Sequence, residues 1–215
     1  MSLIKDTLFK ILLQSDFSVI IKFSQVSHEY QICQPNLSDY WLLFWRLKTK
    51  YDFGLDVPAN ENPYLFYRDN YIVSKLNSWA GINIVTPENY KTIDSLYLCY
   101  SNLKEVSPLI SKLVNLQILS LDGNKLEQLP ASFGQLVNLQ RLYIFNNQLE
   151  QLPTSFGQLV NLQELGLSDN KLEQLPANFG QLVNLQTLYI YNNKLTQNQI
   201  NLVRKNLPNT NIVSK

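Results

Sequence analysis

The chain has 215 residues, 45% hydrophobic and only 16% charged, and its 24 Asn and 17 Gln supply much of the missing surface polarity. Eighteen basic residues against seventeen acidic ones leave a net charge of +1, which excludes the electrostatic footprint of a nucleic-acid or anionic-membrane binder. The apolar share also excludes a disordered chain and allows a sizeable core.

At the N-terminus, Lys5, Asp6 and Lys10 interrupt the apolar residues of Met1–Phe17, so the segment lacks the uninterrupted core of a signal peptide. No run approaches the ~18 apolar residues of a membrane helix. The chain is therefore expected to be intracellular and cytoplasmic. Four short helices are predicted over residues 1–54. Asp6–Gln14 carries Leu8, Ile11 and Leu12 at helical spacing, a second covers about Ser18–Ser24, and a third Ser27–Cys33. The fourth, Asp39–Lys50, is capped by Ser38 or Asp39 and carries Trp41, Phe44, Trp45 and Leu47. Together they make a small helical bundle.

The bundle resembles an F-box. Leu3, Asp6, Leu8, Ile11 and Leu12 fall on that family's opening L-P-x-E-L-L-x-x-I-L, and Ile20, Ile21, Phe23, Ser24, Val26 and Ser27 on its D-L-L-x-L-S-x-V-S/C. Pro35 and Trp41 sit near D-P-x-L-W, and Tyr51-Asp52-Phe53-Gly54 near R-D-F/Y. Ile4 stands where proline is usual, Thr7 replaces a leucine, and Trp41 falls a few residues late. The resemblance implies a Skp-family adaptor as partner, bound through Leu3, Leu8, Ile11, Leu12, Ile20 and Ile21, and a substrate receptor of a cullin–RING ubiquitin ligase. The other reading of the same helices is a plain cap on a scaffold or effector.

Residues 55–92 read as a linker, Pro58-Ala-Asn-Glu-Asn-Pro63, and a capping helix, Tyr64–Trp79. Tyr67, Tyr71 and Leu76 share an apolar face of that helix, which can pack against the bundle or against the segment beginning at Ile93.

Residues 93–195 repeat themselves every 23 residues. Leu126–Gln140, Leu149–Gln163 and Leu172–Gln186 read LEQLP(A/T)(S/N)FGQLVNLQ. From the first leucine the unit is L-x-x-L-x-L-x-x-N-x-L-x-x-L-P-x-x-F-G-x-L-x-x. An earlier, degenerate copy has Ser101, Ser107 and Ile110 at the Asn, Pro and Phe positions. Leu116, Leu119 and Leu121, with their equivalents, alternate as strands with one buried face. Asn124, Asn147, Asn170 and Asn193 follow the strands, where an amide can satisfy its own turn and the next. Phe133, Phe156 and Phe179 are expected to stack as an apolar spine. The unit resembles the leucine-rich repeat family, whose L-P-x-x-φ-G-x-L half is found in its Ras-group and bacterial-type members. The resemblance implies an α+β chain: a solenoid of about five parallel strands with a concave sheet, behind the small N-terminal bundle. Residues 196–215 form its cap, a helix over Gln197–Leu207 and a short edge segment at Asn211–Val213.

The copies differ mainly in the strand and its exit turn. Tyr97 and Cys99 are followed by Ser120 and Asp122, then Tyr143 and Phe145, then Gly166 and Ser168, then Tyr189 and Tyr191. Aromatic rows should therefore alternate with shallow slots at ~10 Å. Tyr97, Tyr143, Phe145, Tyr189 and Tyr191 are the candidate anchors for a protein target on the concave face. They could equally serve only to stabilise the sheet. Arg141 and Glu164, on adjacent strands at one register, complete the candidate partner-binding set on that face, the other reading being that they only pair with each other.

No catalytic constellation is present. His28 is alone, Cys33 and Cys99 lie in different compositional zones, and no H-E-x-x-H, G-x-S-x-G, glycine-rich phosphate loop or C-x-x-C occurs. Glu127, Glu150 and Glu173 recur one repeat apart and read as solvated rather than metal-binding. No enzyme activity, metal or cofactor is expected.

Overall fold

Each repeat contributes a strand of only three residues, because leucine alternation is brief. In a computed structural model, which describes Lys48, residues 52–53, Leu55, 63–81, 85–87 and 89–214, the strands are β1 (Ser95–Tyr97), β2 (Ile118–Ser120), β3 (Arg141–Tyr143), β4 (Glu164–Gly166), β5 (Thr187–Tyr189) and β6 (Asn211–Val213). All pair in parallel and in chain order. Leu96, Leu119, Leu142, Leu165, Leu188 and Ile212 share one register. There are six strands rather than about five because the edge segment at Asn211–Val213 joins the ladder beside β5.

The return segments are short 3-10 helices: η1 (Pro108–Lys112), η2 (Ala131–Gln135), η3 (Thr154–Gln158) and η4 (Ala177–Gln181). Pro130, Pro153 and Pro176 sit in extended backbone just before η2, η3 and η4, where a missing N–H loses no bond. In the degenerate copy Ser107 takes that place, its Oγ accepting from Leu109 N at 3.3 Å, and Pro108 opens the turn.

Two ladders bind the repeats together. Phe133, Phe156 and Phe179 stack with centroids 6.3 Å apart and planes 5° from parallel at each step. The asparagines form the other. Asn147 Nδ2 donates to Leu121 O at 3.0 Å one repeat back, and its Oδ1 accepts from Leu126 N at 3.0 Å. Asn170 repeats this on Ile144 O and Leu149 N, and Asn193 on Leu167 O and Leu172 N. Asn124 also closes the degenerate copy, accepting from Ser101 N and Leu103 N at 3.0 Å. These amides pair backbone groups that would otherwise be buried without partners.

The chain divides into two compact units, 1–71 and 72–215. In the first, Lys48 is buried and paired with Asp52 at 3.1 Å, one helical turn on. The helices expected at Asp6–Gln14, Ser18–Ser24 and Ser27–Cys33, most of Asp39–Lys50, and the F-box positions lie outside the described residues. Helix α1 (Pro63–Ala80) spans the boundary. Its Ile72, Val73, Leu76 and Ala80 join the solenoid core, and Trp79 Nε1 donates to Glu105 O at 2.7 Å. At the other end α2 (Gln197–Asn206) opens with a capping box between Thr196 and Gln199 and buries Ile200, Val203 and the adjoining Leu207. No described helix is long and apolar enough to cross a membrane.

Candidate interaction face

With the central leucine of every strand turned inward, its neighbours must face out. Tyr143, Gly166 and Tyr189 are register partners across β3, β4 and β5. Phe145 follows β3, and its ring fills the space above Gly166, where a Cβ would collide with it. It stacks on Tyr143 with centroids 6.0 Å apart and meets Tyr189 edge-on at 5.8 Å. The expected slot at Gly166 is therefore filled. Instead of separate aromatic rows, Tyr143, Phe145 and Tyr189 make one half-buried patch. Beyond them Tyr191 is also half-buried, and Ser168, between Phe145 and Tyr191 in its row, is wholly buried with its Oγ unpartnered.

Asp122 holds this patch from below. Its Oδ1 accepts from Phe145 N at 2.8 Å and its Oδ2 from Ser120 Oγ at 2.8 Å. Cys99 Sγ lies 2.9 Å from the same Ser120 Oγ. Because Ser120 gives its proton to Asp122, the thiol is the donor in that contact. Phe145 is thus fixed through its backbone as well as its ring.

Arg141 and Glu164 are register partners, but the expected ion pair between them does not form. The Glu164 carboxylate interacts instead with the Tyr143 phenol. Burial first, and then Glu164, push that phenol from 10.0 up to about 12, while Arg141 pulls the other way. Glu173 pairs with Lys194 at 2.8 Å, both exposed, and Lys194 holds the Glu173 carboxyl below its usual range. No cluster of three or more His, Cys, Asp or Glu able to hold a metal occurs among the described residues.

Tyr97 stands apart at the start of the sheet, 61% exposed, beside Tyr100 at 79%. Tyr100 is not among the residues the sequence singles out. It occupies the left-handed turn position (φ 53°) filled elsewhere by Gly123, Asn146, Asp169 and Asn192, and its ring covers Gly123. A bulky residue where every other copy has Gly, Asn or Asp was the signal that could have found it.

Leucine-rich repeat models match residues 91–149, 137–180 and 160–209. A leucine-rich repeat protein of Leptospira interrogans is 33% identical, with a TM-score of 0.50 over 61% of this chain, which spans only 40% of that protein. The leucine-rich repeat ectodomain of the receptor kinase SOBIR1 of Arabidopsis thaliana shares the fold at 22% identity and a TM-score of 0.53, over 68% of this chain and 92% of that one. No curated protein matches the chain. Leucine-rich repeats generally mediate protein–protein interaction and are typically non-enzymatic scaffolds. With family models covering 91–209 and the six-stranded parallel ladder built from those residues, the chain belongs to the leucine-rich repeat family.

Proposed function

We propose that the chain is a protein-interaction module whose target docks on the outward sheet face at Tyr143, Phe145, Tyr189 and Tyr191, with Tyr97 and Tyr100 at one end. The observation that carries this is the Tyr143–Phe145–Tyr189 cluster over Gly166. Rings already fixed by one another and by Asp122 lose little freedom on binding, which is what an energetic anchor needs. Tyr189→Ala or Tyr143→Ala should weaken partner binding by ~1 kcal/mol or more. Glu150→Ala and Gln151→Ala, on the far side of the repeat, should leave it unchanged. Sensitivity at the second pair alone would remove the sheet face from the function.

The N-terminal unit has its own role in this reading: residues 1–54 act as an F-box that recruits a Skp-family adaptor through Leu3, Leu8, Ile11, Leu12, Ile20 and Ile21, so that the target is delivered to a cullin–RING ubiquitin ligase in the cytoplasm. The support is the spacing of those residues in the sequence. Leu8→Glu with Ile11→Glu in the full chain should abolish binding of a purified Skp-family protein while the repeats still melt cooperatively. If the unmodified chain binds no such adaptor, the unit is a cap and the chain a scaffold.

A further inference from the structure

The edge of the solenoid that leads into the strands carries a second periodic surface. Each repeat enters its strand through Val-Asn-Leu-Gln, at 114–117, 137–140, 160–163 and 183–186. The leucine is buried, while the amides on either side of it line a groove of about 610 Å³ made of nothing but four asparagines and four glutamines. Packing accounts for the asparagines: Asn138, Asn161 and Asn184 each donate Nδ2 to the preceding repeat's valine carbonyl at 2.8–2.9 Å. It does not account for the glutamines, whose side chains make a single contact, Gln140 Nε2 to Gln117 Oε1 at 3.4 Å. The four valines flanking the groove are all exposed. No charged or aromatic side chain lines it. Arg141 and Glu164 open the strands beside Gln140 and Gln163 but do not line the groove, and Glu127, Glu150, Lys171 and Glu173 come only after the strands.

We propose that this edge is the contact between two copies of the chain. The argument is one of pitch. Adjacent strands lie ~4.8 Å apart, so the amides recur at ~4.8 Å, whereas an extended peptide presents backbone groups to one side only every ~6.7 Å. Such a peptide falls out of step within two or three repeats. A second copy has the same pitch and stays in step over all four. Each primary amide both donates and accepts, so a row of them is complementary to itself, and stacked Asn or Gln ladders flanked by apolar residues associate in this way between paired sheets. A self-contact also brings like residues together about a two-fold axis, which an uncharged surface tolerates and a charged one does not. With no ring to stack on, a sugar is the poorer fit.

Sedimentation velocity of the full chain over a concentration series should show a monomer–dimer equilibrium that does not respond to salt, since no charges pair across it. Gln140→Glu with Gln163→Glu, at the middle of the groove, should weaken self-association at least ~tenfold, as should the matching pair of lysines. Mixing the acidic and basic variants should restore a one-to-one dimer that is now salt-sensitive, which also shows that both are folded. A chain that stays monomeric throughout overturns the proposal, whether or not the groove then takes up an oligosaccharide or an extended peptide. Glutamate variants that dimerise like the wild type overturn it too. So does an association abolished by Tyr189→Ala, which would move the contact to the sheet face and leave the edge without one.

Discussion

Phe145 lies across Gly166 of the neighbouring repeat, its ring in the space a side chain there would take. A glycine in a strand ordinarily weakens it. Here it is a seat. Because Tyr143 and Tyr189 are its register partners on either side, the ring bridges both.

Gly166→Val removes that seat. The added methyl groups must displace Phe145, and overpacking of this kind destabilises by ~1–3 kcal/mol. Denaturant unfolding should show a loss of that size, with partner binding weakened in parallel. An unchanged midpoint would mean that the ring is free to leave.

The asparagine ladder should be graded along the chain. Asn147→Ala strands the Leu126 N–H inside the solenoid, while the Leu121 carbonyl keeps the Asn124 amide at 2.8 Å, so the loss should be ~1–3 kcal/mol for the one group left unpaired. Asn193 makes the same bonds but is only half-buried, so Asn193→Ala should lose less. Equal losses in unfolding experiments would count against burial as the reason.

The Tyr143 phenol should titrate late. Its neutral form is favoured in the fold up to about 12, against 10.0 for an ordinary tyrosine. Between those values the unfolded chain binds fewer protons than the folded one, so stability falls as pH rises through that window and is unaffected by this group below it. An ultraviolet difference titration should show a late phenol that Tyr143→Phe removes. Glu164→Gln should lower its pKa only in part, because burial is the larger cause.

Tyr100 trades stability for exposure. A bulky residue held at positive φ costs roughly 1–3 kcal/mol, and asparagine is the residue found there in two other copies. Tyr100→Asn should raise the melting temperature, after allowing for the lost contact with Gly123, and weaken partner binding. A rise in stability with no change in affinity would take Tyr100 out of the interaction face.

The repeat was legible because its signals are local and repeated: Leu119 and Leu142 point inward by alternation, Pro130 leads into the return segment, and Asn124 turns the chain. The spacing of Ile200, Val203 and Leu207 announced α2 in the same way. The face was less legible because side-chain direction there is settled between repeats. Sequence spacing puts Phe145 in its own row, yet its ring turns to Gly166, since that is where no Cβ blocks it. Glu164 sits opposite Arg141 as expected but interacts with Tyr143, because register fixes backbone neighbours and leaves the ends of long side chains a choice. The F-box positions, from Leu3 to Ile21, rest on sequence spacing alone.

Each amide of the asparagine ladder reaches one repeat back by the same step: Asn147 to Leu121, Asn170 to Ile144, Asn193 to Leu167. Excising residues 149–171 would therefore bring Asn193 against the Ile144 carbonyl and Phe179 against Phe133, ends that already fit. Insertion of a further unit would close just as well. Such an array can be shortened or lengthened by whole units without redesigning an interface, so that gene slippage in steps of 23 codons alters the reach of the molecule while sparing its fold.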